Sequence, residues 1–168
     1  MNLTFEPGSL IALVGGSGAG KTVFATRYWP TTWRLSLDDY REMATGNVAD
    51  QSATPVADQI QTLLLDARLS RFLTTVIDST GLYAHVRAAL LARARYWQRP
   101  CAAVLFDIGL ERRQAQNAVR ERVVPGHVLL DQERLVPTAE QLLAEGFARV
   151  ETVTATSPAY LEPASVGR

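Results

Sequence analysis

Apolar residues in this chain gather in short continuous runs separated by turn-forming and polar stretches. Leu10–Val14, Thr74–Ile77 and the segment "CAAVLFD" (101–107) are of strand length, and the last two close on an aspartate, Asp78 and Asp107. Trp33–Ser36 and Arg149–Val153 supply two more strand candidates. Between them the period changes to that of a helix. Pro55–Phe72 has proline near its start and apolar residues at helical spacing, Val56, Ile60, Leu63 and Leu64. Ala84–Trp97 is amphipathic, "ERRQAQNAVRER" (111–122) is a polar, arginine-rich helix, and Pro125–Glu145 is helical with an interruption at Pro137. Alternation of strand and helix predicts an α/β fold: a parallel sheet with helices on both faces. Two stretches lack periodicity. Ala44–Thr54 reads as a mobile loop, and the segment from Ala155, rich in small residues and proline, reads as a tail or linker. The expected organisation is one domain over residues 1–154 and a tail over 155–168.

Composition narrows the function classes. A chain of 168 residues with 47% hydrophobic and 20% charged content can bury a core of its own. Formal net charge is zero, so no global field recruits a polyanion or an anionic membrane, and any such partner must be met by a local arginine cluster. One cysteine, Cys101, excludes an internal disulfide and fits a reducing cytoplasm. The N-terminus lacks a signal-peptide pattern and no apolar stretch is long enough to span a bilayer, so a cytoplasmic, membrane-free protein is expected. Sixteen of the 17 basic residues are arginine; the single lysine is Lys21.

That lysine sits in the most specific motif of the chain. After the strand at Leu10–Val14 comes Gly15-Gly16-Ser17-Gly18-Ala19-Gly20-Lys21-Thr22, which satisfies G-x-x-x-x-G-K-[ST]. A loop that wraps phosphate groups with its backbone N–H groups needs glycines, which accept positive φ and allow close approach. Lys21 would reach the β- and γ-phosphates of ATP or another nucleoside triphosphate, the Thr22 hydroxyl would bind Mg²⁺, and the following helix would direct its positive end at the anion.

Ligands of parallel sheets bind beyond the carboxyl ends of the strands. Asp38, Asp78 and the glycine loop all follow strand ends and should converge on one crevice. In "LSLDDYREM" two adjacent carboxylates can divide their work. A helix beginning near Asp38 places Asp38 and Arg41 on one face, three residues apart. Asp39 lies about 100° around the helix, at capping-box spacing to Glu42. Asp39 would cap or pack while Asp38 faces the phosphates. Trp29, Trp33 and Tyr40 are assigned to packing, and His85, His127 and Cys101 to no chemistry.

The combination of GGSGAGKT, "SLDDYR" after the second strand, "VIDST" after the third and the Asn-x-x-Arg of "QNAVRERVVP" resembles the 5′-OH polynucleotide kinases. Nearest in likeness is the P-loop kinase domain of bacterial polynucleotide kinase-phosphatases that heal RNA ends. The resemblance implies Mg²⁺-dependent transfer of the ATP γ-phosphate to the 5′-OH of RNA or DNA, under an arginine-bearing lid. It implies that Asp38 is the general base and that Arg41 grips an acceptor phosphate. Asp78 would order the acceptor or the magnesium's water shell, and Arg120 would stabilise charge on the transferred group. It also implies fusion to, or association with, phosphatase or ligase domains in related proteins. Two positions depart from the family: Gln116, where a second lid arginine is common, and Gly81, where asparagine is common. Arg113, on the same helical face as Gln116 and Arg120, is a candidate substitute, and Arg122 is the nearest to a later lid arginine. A small-molecule kinase for a nucleoside, sugar or antibiotic is the alternative, followed by a nucleotide-binding module without catalysis.

Overall fold

A computed structural model describes residues 3–120 and 122–161. Five strands form one parallel sheet, β1 (Leu10–Val14), β2 (Arg34–Leu35), β3 (Thr75–Ile77), β4 (Cys101–Asp107) and β5 (Arg149–Thr154), in the spatial order β2-β3-β1-β4-β5. Helices connect them: α1 (Lys21–Tyr28), α2 (Leu37–Thr45), α3 (Thr54–Leu69), α4 (Ala84–Tyr96), α5 (Leu110–Ala118), α6 (Gly126–Glu133), α7 (Ala139–Glu145) and α8 (Pro158–Leu161).

The unbroken apolar runs have their cause in the layering, because a strand covered on both faces has no polar side to show. Side chains of β1 alternate between two cores. Leu10, Ala12 and Val14 face Leu65 and Leu69 of α3, Leu90 and Leu91 of α4, and Leu142 of α7. Ile11 and Leu13 face the other way, onto Phe24 and Ala25 of α1, with Trp29 and Phe106. Phe24 meets Phe106 edge-on with ring centroids 5.1 Å apart. The chain leaves β1 toward one neighbour and returns on the other side through β4. Its glycine turn therefore opens into the gap between β3 and β4, the place where such sheets hold ligands.

Four expectations change. Strand β2 is only Arg34–Leu35, because Thr31–Trp33 closes into a short 3-10 turn. Much of Ala44–Thr54 is regular: α2 runs to Thr45 and is capped by Gly46 at φ +71, Asx bonds from Asn47 and Asp50 build the next two turns, and a 3-10 turn covers Gln51–Ala53. The arginine-rich helix stops at Ala118 instead of continuing to residue 122. Helix α3 buries Ala57, Leu65 and Leu69, whereas Val56, Leu63 and Leu64 are exposed and only Ile60 of the expected set packs on the core. Gln61 and Arg68 lie on the inward side of α3, where Arg68 holds Thr75 Oγ1 and the Thr74 carbonyl, so the inward face carries polar residues that hide its period.

Residues 155–161 are packed: the Tyr28 hydroxyl donates to Ala159 O at 2.7 Å, and the Thr154 N–H donates to Ser157 Oγ at 2.8 Å. Residues 162–168 of the proposed tail lie outside the described residues, as does Glu121. Among the described residues no helix is long and apolar enough to cross a membrane.

The phase of α3 gives a direct stability test. Leu65→Ala should cost about 2–5 kcal/mol through the cavity it leaves, whereas Leu63→Ala should stay within about 0.5 kcal/mol. Urea denaturation of both variants reads the difference.

Candidate phosphate-transfer site

The loop from Gly15 to Gly20 takes its shape from contacts that only glycine permits. Gly18 sits at φ +81, and a Cβ there would stand 2.5 Å from the Arg113 carbonyl oxygen. The Gly15 N–H donates to Thr80 O at 2.8 Å, fastening the loop to the turn after β3. No side chain caps the N-terminus of α1, so its first-turn N–H groups face the cavity side of the loop ready for an anion. The Lys21 ammonium donates to Gly15 O at 2.7 Å and to Gly16 O at 2.8 Å. Burial pushes its pKa down to about 8; Arg113 and Arg120 add to that fall, while Asp78 and Asp38 oppose it. The P-loop thus holds a lysine short of anions.

A cavity of about 620 Å³ opens over this loop and brings together most of the residues expected at the site. Lys21, Thr22, Asp38, Arg41, Asp78 and Arg120 all line it, with Ser17, Gly18 and Gly20 of the loop. Ala19 is fully buried in the core beneath, and Gly15 and Gly16 carry the Lys21 contacts. Asp107 is exposed and does not line the cavity.

The two adjacent aspartates are kept apart by two arginines. Asp38, in the first turn of α2, pairs with Arg41 of the same helix. Arg41 is buried and also donates from Nε to Val48 O at 3.2 Å, which fixes the guanidinium at the cavity edge. Asp39 turns to Arg34 and makes no capping box with Glu42: Ser36 is the N-cap of α2, which puts Asp38 and Asp39 at the second and third positions of its first turn. Arg34 also donates to Asp78 Oδ2 at 3.0 Å. Arg34 went unassigned in the sequence, because a strand residue gives no hint that it will bridge two carboxylates.

Asp78 keeps Oδ1 without a protein partner among the described residues. A hydroxyl (Thr22) and a free carboxylate oxygen in one cavity fit Mg²⁺, which takes one or two carboxylates and completes its shell with phosphate and water. Ser79 Oγ, buried and without a hydrogen-bond partner, joins the same lining and was missed by sequence reasoning. Gly81 is explained by its backbone: it stands at φ +58, and a Cβ would lie 2.8 Å from Leu13 O.

The arginine-rich wall differs from expectation in one respect. Arg113 is fully buried, bonded to Ile108 O at 3.0 Å and to the Glu133 carboxylate, so it does not stand in for a lid arginine. Gln116 instead bonds the Tyr160 hydroxyl at 2.9 Å. Arg112 lies 5.5 Å from the Tyr160 ring centroid, Arg120 is exposed at the cavity, and Arg122 Nη1 reaches Val48 O at 3.5 Å. Trp29 and Tyr40 are buried in the core, as expected.

Comparison with known proteins agrees with this geometry. Residues 10–138 match the protein family described as the AAA domain. No curated protein matches the chain. Among solved structures it is similar to a chain of the Pnkp1/Rnl/Hen1 RNA repair complex, with 20% identity, 87% of this chain and 48% of that chain covered, and a TM-score of 0.65. The chain thus spans about half the length of the RNA-repair chain it matches. A gluconokinase from Sinorhizobium meliloti is similar at 17% identity, covering 92% of this chain and 87% of that one with a TM-score of 0.54. A shikimate kinase from Acinetobacter baumannii is similar at 18% identity, covering 90% and 86% with a TM-score of 0.50. At these identities the likeness is one of fold: a parallel α/β sheet of the P-loop kinase type.

Lys21 supplies a pH test. At about pH 8.5 an amine with a pKa near 8 is mostly neutral, and a triphosphate seated beside it favours the charged form. ATP binding at that pH should therefore take up part of a proton. Calorimetry in buffers of different ionisation enthalpy should show it, and Lys21→Met should remove the buffer dependence.

Proposed function

Since the chain belongs to the AAA domain family, we propose that it uses its P-loop to transfer the γ-phosphate of ATP, or of another nucleoside triphosphate, to the 5′-OH end of RNA or DNA. The observation that carries this reading is the Asp38–Arg41 pair at the cavity edge. It sets an exposed carboxylate beside a buried, backbone-anchored guanidinium in the cavity that Arg112 and Tyr160 also line. A polynucleotide end offers both groups that such a pair can take, a hydroxyl for the carboxylate and a phosphodiester for the guanidinium.

In the reaction proposed, Asp38 accepts the proton of the acceptor hydroxyl as its oxygen bonds to the γ-phosphorus. The bond from that phosphorus to the β–γ bridging oxygen breaks, and ADP leaves with the electron pair. Phosphoryl transfer depends on alignment and on spreading charge, more than on covalent help from the protein. The loop N–H groups and Lys21 hold the donor, and Arg120 meets the charge on the transferred group. Thr22 and Asp78 would hold Mg²⁺, which when bound neutralises phosphate charge. Fold likeness to a chain of an RNA repair complex supports this acceptor class and suggests phosphatase or ligase partners, fused or associated. A small-molecule acceptor is the second reading, favoured by likeness to gluconokinase and shikimate kinase.

The test is incubation with γ-labelled ATP, Mg²⁺ and a panel of 5′-OH oligonucleotides, nucleosides and sugars. Label should appear on oligonucleotide 5′ ends, and oligonucleotide binding should weaken as salt rises. Label only on a small molecule would overturn the acceptor assignment. Asp38→Asn should lower kcat by about 10²–10⁴-fold while ATP affinity stays unchanged. A variant as active as the parent would remove Asp38 from the mechanism.

A further inference from the structure

The segment between α5 and α6 carries Arg120, and two of its valines give it little anchorage. Val119 is 86% exposed and Val123 is 56% exposed. The side chain of Asn117 joins its two ends. Asn117, buried in the last turn of α5, donates from Nδ2 to Val124 O at 2.8 Å and accepts at Oδ1 from the Val124 N–H at 2.9 Å. An amide side chain here pairs with a backbone as a neighbouring strand would, and ties residue 124 to residue 117. The Arg120 N–H donates to Asn117 O at 3.2 Å, so the arginine's own backbone hangs on the same residue.

One turn earlier on the same face, Arg113 binds Ile108 O and Glu133 and reaches Ser17 O at 3.5 Å. Next to Glu133 in α6, Gln132 Oε1 accepts the Ser17 N–H at 2.7 Å. The two helices flanking the Arg120 segment are therefore fixed to the phosphate loop, and Asn117 fixes the segment to those helices.

Resting on the phosphoryl-transfer reading, we propose that Asn117 is a positioning residue, which holds Arg120 over the phosphate cavity before any ligand arrives. Without the clamp, Arg120 must be brought back over the cavity in each turnover. That entropic cost falls on the transition state that Arg120 serves, and not on ground-state binding of ATP at the loop.

Two measurements test the proposal. In steady-state transfer from ATP to a 5′-OH oligonucleotide, Asn117→Ala should lower kcat about 10- to 100-fold with KM for ATP nearly unchanged. The Asn117→Ala/Arg120→Ala double variant should be no slower than Arg120→Ala alone, because both changes remove one interaction. Multiplied losses, or a raised KM for ATP at unchanged kcat, would overturn the proposal. Independently of activity, the anisotropy of a fluorophore on Val119→Cys should fall when Asn117→Ala is added; unchanged anisotropy overturns it too. If the parent moves no phosphate to an oligonucleotide while the label still loosens, the acceptor reading fails and the clamp stands. If Asn117→Ala does not fold, Asn117→Asp, which keeps the acceptor for the Val124 N–H, carries the same comparison. If neither folds, the residue holds the domain instead of the arginine, and the proposal is wrong.

Discussion

A guanidinium taken out of water must find a carboxylate, and that requirement organises this molecule. Arg113, Arg87 and Arg41 are buried, and each has an acidic partner: Glu133, Glu145 and Asp38. Arg34 has two, Asp39 and Asp78. Removing one member of such a pair strands a buried charge, which is far costlier than never having had the pair. None of these pairs is a detached surface bridge. Arg113 lies under the phosphate loop, and Arg87 donates to the Gly81 and Leu82 carbonyls of the turn after β3. Arg34 holds Asp78, and Arg41 holds the start of α2. Each wall of the cavity is thus fastened by one arginine whose charge is already answered.

The same arrangement accounts for a neutral chain with a cationic site. The chain has 17 acidic and 17 basic residues, yet the acids beside the cavity are engaged, Asp38 by Arg41, Asp78 by Arg34 and Glu133 by Arg113, whereas Arg112 and Arg120 line it with exposed side chains. Lys21 registers the imbalance, since burial and two nearby guanidinium groups depress its affinity for a proton. An anion entering the cavity relieves that stress, so binding strength and proton uptake have one electrostatic source. Zero net charge is therefore no argument against a polyanionic ligand here. The field that matters is confined to one concave patch, where low-dielectric walls concentrate it.

Much of this was legible in the sequence, and the reason differs by level. Strands announced themselves because a doubly covered strand must be apolar throughout, as Leu10–Val14 and Cys101–Phe106 are. The phosphate loop was legible because its backbone shape demands glycine at fixed positions. That Asp38 and Arg41 share one face followed from helical geometry; that they pair with each other came from the structure. What escaped were long-range polar contacts: Arg34 with Asp78 spans 44 residues, and Gln132 with Ser17 spans 115. Such bonds leave no local pattern. The inward face of α3 escaped for a related reason, since Arg68 and Gln61 lie there and three exposed apolar residues imitate a core stripe.

The glutamine at position 116 follows from the same electrostatics. Gln116 shares its wall with Arg112 and Arg120, above a lysine already short of negative charge. A further arginine there would add repulsion across the cavity, and Glu133, the carboxylate bonded to this helix, is already engaged by Arg113. A neutral amide avoids that cost and bonds the Tyr160 hydroxyl of α8. Tyr160 in turn lies under Arg112 and beside Gly20. Gln116 thus supplies a strut between α5 and the segment after β5 in place of a charge, leaving Arg112 and Arg120 as the exposed cations of that wall. Of the two, Arg112 is held by α5 itself, whereas Arg120 lies beyond the end of that helix, where its N–H donates to the carbonyl of the buried Asn117 at 3.2 Å.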